Sequence, residues 1–132
     1  MKNSNTLVVY YSKTGTTETV AKAIIAKLDC DFDRVEYRKG DKTISFAKEP
    51  SAYERVILMS PIWGFELAEP MKLYLREHGG IKNYSLIVTC SGLGLRGCVR
   101  NCKGALGAAP GQAIKIRAKT VKDGTFDISS VE

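Results

Sequence analysis

One switch of periodicity constrains this chain more than any other feature. Leu7-Val-Val-Tyr-Tyr11 is a continuous apolar run, as a strand covered on both faces requires. Val20, Ile24 and Leu28 then recur at helical spacing with Ile25 beside them, so strand gives way to helix within a few residues. Between the two lies Ser12-Lys-Thr-Gly-Thr-Thr17. Such a segment reads as a buried strand, a tight turn and an amphipathic helix, the opening of a βα unit.

The turn has a definite chemical competence. The first N–H groups of a helix lack intrahelical partners, and the helix dipole adds partial positive charge, so a phosphate is well held there. Ser12, Thr14, Thr16 and Thr17 offer hydroxyl donors, Gly15 lets backbone approach closely, and Lys13 brings a cation. An ordinary N-cap needs one such hydroxyl, so this loop exceeds a cap's needs and suits a phosphate. It is neither a Walker loop nor a G-x-G-x-x-G turn.

The rest of the chain repeats the alternation. Phe32 to Tyr37 alternates like an edge strand, and the polar stretch 38–53, with Gly40 and Pro50, leaves room for only a short crossover helix. Arg55 to Ser60 is a buried strand, broken at Pro61-Ile-Trp-Gly64. Leu67, Met71, Tyr74 and Leu75 share a helical face, with Pro70 in the first turn and Gly79 past the end. Tyr84 to Cys90 is a third buried strand. A helix follows over Cys98 to Leu106, then an edge strand over Ala113 to Ala118. After Asp123-Gly124, the alternation of Phe126 and Ile128 suggests one more short strand.

This pattern implies an α/β fold, a doubly wound five-stranded parallel sheet with right-handed crossovers, in one domain of 132 residues. Ligands of such sheets bind beyond the C-terminal strand ends, where three loops converge: Ser12–Thr17, Pro61–Gly64 and Cys90–Gly94. In the second, Trp63 can stack on a planar ring, although a lone tryptophan also serves as a core cap. In the third, Gly92 and Gly94 admit close backbone approach.

These loops carry a resemblance. Ser12-x-Thr14-Gly15-x-Thr17 after a Val-rich strand is similar to the FMN-phosphate loop of the flavodoxin family, and Ser60-Pro-Ile-Trp-Gly64 resembles a subgroup of short flavodoxin-like proteins. The resemblance implies FMN as cofactor, and a flavodoxin-like sheet with a shortened second crossover and no long C-terminal helix. It implies that Ser12, Lys13, Thr14, Gly15, Thr16 and Thr17 hold the phosphate. Pro61, Ile62, Trp63 and Gly64 then flank the ring through Trp63, while Cys90, Ser91, Gly92 and Gly94 line its polar edge. It also implies an electron carrier. The alternatives are an NAD(P)H-dependent flavin or quinone reductase of the same fold, and an interaction module without flavin.

Charge sets the expectations for partners. The net charge is +6, and from His78 to Lys122 there is no Asp or Glu but eight Lys and Arg. An acidic redox partner follows from that asymmetry; no nucleic-acid module accompanies it. The short C-terminus leaves an apolar sheet face to be covered, and a homodimer or a lost fusion partner is expected there. No apolar run reaches the roughly 20 residues of a membrane span, and no signal-peptide core leads the chain, so a cytoplasmic address is expected. Cys98 and Cys102, four apart on one helical face, read as apolar packing residues in preference to a redox pair. The four cysteines and one histidine form no zinc pattern. His78 reads as a surface or capping residue at a helix end. No Ser/His/Asp or Cys/His set supports hydrolysis.

Overall fold

The computed structural model describes residues 3–131. Strands β1 (Asn3–Tyr10), β2 (Cys30–Arg34), β5 (Arg55–Trp63), β7 (Tyr84–Cys90) and β8 (Gln112–Arg117) form a parallel sheet in the order β2-β1-β5-β7-β8. The expected doubly wound five-stranded architecture is therefore present. Helices α1 (Thr16–Leu28) and α4 (Ala118–Asp123) lie on one face, and α2 (Glu69–Glu77) and α3 (Leu95–Leu106) on the other.

Alternation along β1 divides the core. Leu7 and Val9 join Leu58, Met71, Tyr74, Cys98 and Cys102, while Val8 and Tyr10 join Val20, Ile24, Ile57 and Ile116. All seven residues of β7 are buried, as a central strand flanked on both sides must be.

Three segments differ from the sequence reading. The predicted edge strand breaks at the buried Val35, whose amide donates to the Tyr10 carbonyl at 2.8 Å. Beyond it, β3 (Glu36–Arg38) pairs antiparallel with β4 (Thr43–Ser45), and one 3-10 turn at Pro50–Ala52 completes the second crossover. A hairpin therefore stands where a short helix had been the expectation.

Pro61 does not end β5. It stays in register with Thr89 of β7, and Ile62 and Trp63 pair with Leu67 and Glu66 of β6 (Glu66–Leu67). Gly64 (φ 59°) and Phe65 (φ 67°) make the two-residue turn, both left-handed, as a type I′ hairpin demands.

The C-terminal strand expected over Phe126 and Ile128 is absent. The amides of Thr125 and Phe126 fold back to the Thr120 carbonyl, and the tail crosses the α1 face as irregular chain. Lys27 Nζ donates to the carbonyls of Ile128, Ser129 and Val131 at 2.8, 3.2 and 2.7 Å. Val131 is buried, and Val121, Phe126 and Ile128 pack on the same cluster as Ile24 and Ile116. These side chains cover the apolar face that had been expected to be bare.

Candidate functional site

At the C-terminal edge, Ser12 organises the first loop. Its hydroxyl is buried and accepts the amides of Gly15 and Glu18, each at 3.1 Å. Gly15, at φ 97°, turns the chain into α1 with nothing near the position a Cβ would take. Glu18 in the first helical turn accepts from Arg34 at 2.6 Å and from the Tyr10 hydroxyl at 3.3 Å, which fixes the helix start.

Two consequences follow for an anion. The amides of Thr16 and Thr17 open α1 and, among the described residues, have no acceptor. The hydroxyls of Thr14 and Thr16 stand at the surface 3.4 Å apart, free to turn toward a ligand. Thr17 differs from its sequence reading as an outward donor. Its side chain is buried, and its hydroxyl lies 2.7 Å from that of Thr89 at the end of β7. Thr17 therefore ties the first loop to the third and offers a phosphate its amide.

The remaining candidates divide between two hollows. Trp63 faces a pocket of about 560 Å³ lined by Tyr11, Lys13, Tyr37, Lys39 and Trp63 itself. Tyr11 meets Trp63 edge-on at 5.7 Å and Tyr37 at 6.3 Å, and Lys13 Nζ sits 5.7 Å from the tryptophan ring centre. Burial pushes the Tyr11 hydroxyl above its ordinary range, so it stays a neutral donor. Ile62, Gly64, Cys90 and Ser91 line a second hollow of about 190 Å³ with Phe65 and Leu93. Pro61 stands in register with Thr89 and lines neither hollow, and Gly92 lies near Arg117.

The 60s hairpin leans on α3 through glycines. A Cβ on Gly94 (φ 126°) would come within 2.7 Å of Ile62 Cγ2, and one on Gly97 would run into the Phe65 carbonyl oxygen. Behind the hairpin, the Leu67 amide donates to Asn101 Oδ1 at 3.0 Å and the Ala68 amide to Ser60 Oγ at 3.1 Å. Glu66 accepts from Lys72 at 2.9 Å, and that ammonium holds its carboxyl below the usual range.

Sequence reasoning missed Tyr11, Tyr37, Lys39 and Phe65. Tyr11 was absorbed into the apolar run, and Tyr37 and Lys39 reach the pocket only because the crossover is a hairpin. His78 also differs from a surface residue: it caps α2, its side chain is 8% exposed, and it packs on Tyr74 and Phe46 with Nδ1 3.5 Å from Glu49. Cys98 and Cys102 are free and fully buried, and burial pushes both thiols up to about 12, so they are packing residues as expected. Among the described residues no cluster could hold a metal, and no helix is long and apolar enough to cross a membrane.

A parallel doubly wound sheet with unpaired donors in the turn after its first strand defines an α/β protein of the class whose ligands sit beyond the strand ends. The family model for the flavodoxin domain matches residues 7–125, and the chain belongs to that family. Among solved structures it is similar to a flavoprotein in complex with FMN from Lactobacillus acidophilus NCFM, at TM-score 0.75 and 18% identity over 92% of this chain and 98% of that one. It is similar also to a candidate flavoprotein from Bacteroides eggerthii DSM 20697, at TM-score 0.72 and 19% identity over 98% and 100% of the two chains. None of the curated proteins matches the sequence.

Proposed function

We propose that this protein binds FMN and works as an electron carrier. The observation that supports it most is the Ser12–Thr17 loop. Ser12 holds the turn so that the amides of Thr16 and Thr17 and the hydroxyls of Thr14 and Thr16 all remain available to a phosphate. The residues present fit that group in charge and hydrogen-bonding sense, and Lys13 adds a cation beside them. The similar flavoprotein from Lactobacillus acidophilus binds FMN in its structure.

Bound flavin supplies the redox chemistry; the chain supplies position and environment. Trp63, braced edge-on by Tyr11, offers a ring face for stacking. Thr17 and Thr89 hold the phosphate and ring loops at a fixed separation.

Titrating FMN into the apoprotein while following flavin fluorescence tests the reading. Saturable quenching is expected, with affinity lower by roughly tenfold in Trp63→Ala, about 1.4 kcal/mol. Absence of binding would overturn it and leave the interaction module.

A specific observation favours a second reading, an NAD(P)H-dependent flavin or quinone reductase. The aromatic pocket beside Trp63 carries two lysines that make no ion pair among the described residues, which suits an anionic planar ligand. Steady-state NAD(P)H oxidation with a quinone acceptor separates carrier from reductase. The cytoplasmic address stays part of this proposal.

A further inference from the structure

The exposed side of α3 and the loops at its start form one surface of unusual composition. Arg96, Arg100 and Lys103 are all exposed and fall at i, i+4 and i+7, so they line one face of the helix. With Val99 and Gly104 they border a groove of about 480 Å³. Lys115 Nζ donates to the Gly92 carbonyl at 3.0 Å, and the Arg117 guanidinium reaches within 4.0 Å of a Cβ position on Gly92. Two further cations thus flank the 90s loop from β8.

The centre of this surface is apolar. Of the three large apolar side chains exposed among the described residues, two meet here: Phe65 at 65% and Leu93 at 76%. Both line the small hollow between the ring loops. None of the five cations makes an ion pair among the described residues. One acid lies near, Glu66, and its first partner is Lys72, with Arg100 a weaker influence.

From these residues we infer that the face is a docking site for a protein with an acidic surface. An apolar centre inside a rim rich in arginine is how protein interfaces are composed. A rim of unpaired cations steers an acidic partner and repels a basic one. The contact falls on Phe65 and Leu93, beside the loops assigned to the flavin ring, so the occupant is an electron-transfer partner. The inference rests on the flavin reading. Nucleic acid is the poorer fit, because the face has one aromatic side chain and no run of stacking rings.

The test is an NMR titration of the 15N-labelled, FMN-loaded protein. The probes are a plant-type [2Fe–2S] ferredoxin, which is small and acidic, cytochrome c, which is small and basic, and a duplex DNA. The ferredoxin alone should shift the amides of Phe65, Leu93, Arg96 and Arg100, with the shifts lost at about 0.3 M salt. Arg96→Glu/Arg100→Glu should weaken that binding roughly tenfold or more while FMN absorbance is retained. Lys119→Glu/Lys122→Glu, on α4, should change it little. No shifts with ferredoxin, equal shifts with cytochrome c, tighter binding of DNA, or shifts centred on α4 would each overturn the inference. A protein that takes up no FMN fails the flavin reading instead, which the absorbance shows before any probe is added.

Discussion

The phosphate loop and the 60s hairpin stand on the same sheet edge and are built in opposite ways. The first is held from within: one buried hydroxyl gathers two amides, and another reaches across to Thr89. The second is held from without, by leaning a left-handed Phe65 on two glycines of the 90s loop and α3 and by polar ties to Asn101 and Lys72. A loop organised by its own hydrogen bonds can keep free donors aimed outward. A hairpin organised by contact keeps its shape only while its support keeps its shape. The donors of the first loop are therefore preorganised, and the shape of the second depends on packing between elements.

Breaking the support should have the largest effect. Gly97→Ala puts a methyl where the Phe65 carbonyl lies, so hairpin or helix must shift, at about 3 kcal/mol in urea unfolding. Binding of riboflavin, which has no phosphate, should suffer as much as binding of FMN. Ser12→Ala acts on the other loop. It strands two amides at about 2 kcal/mol, and here FMN affinity should fall while riboflavin affinity changes little. Equal losses for both ligands in Ser12→Ala would erase the distinction between the loops.

The smallest effect is a pH dependence confined to the hairpin. The Lys72 ammonium depresses the Glu66 carboxyl below its ordinary 4.5. Its contribution is present above that value and is lost as pH falls through the lower folded one. Glu66→Gln should therefore lower the urea midpoint slightly at pH 6, and the difference from the parent should shrink as pH falls below 4.5 and vanish once the carboxyl is protonated in the folded protein. A difference that persists in acid would mean that Glu66 acts through shape and not charge.

Much of the sheet and the phosphate turn is legible in the residues, because both are local. Leu7 to Tyr11 and Tyr84 to Cys90 announce buried strands by composition, and Ser12 to Thr17 announces its chemistry by hydroxyl density. What stayed hidden depends on pairing at a distance. The β3–β4 hairpin pairs Glu36 with Ser45 through strands of only three residues each, too short for their alternation to stand out, and it carries Tyr37 and Lys39 to the aromatic pocket. Thr17 looked like an outward donor because nothing local shows that Thr89, 72 residues on, takes its hydroxyl. The C-terminal tail looked too short to cover a sheet face, since a lysine of α1 clamping three tail carbonyls leaves no mark in either segment.

Three buried thiols, those of Cys30, Cys98 and Cys102, make the fold its own stopwatch. A thiol that water does not reach reacts with an added disulfide reagent only during an opening, so each labelling rate records how often its neighbourhood comes apart. Cys30 sits on the edge strand β2, and Cys98 and Cys102 lie under α3 against the central strands. Without any engineered probe, the molecule can report its edge fraying and its core unlocking as separate events. Any ligand that ties the strand ends together should slow the second clock more than the first.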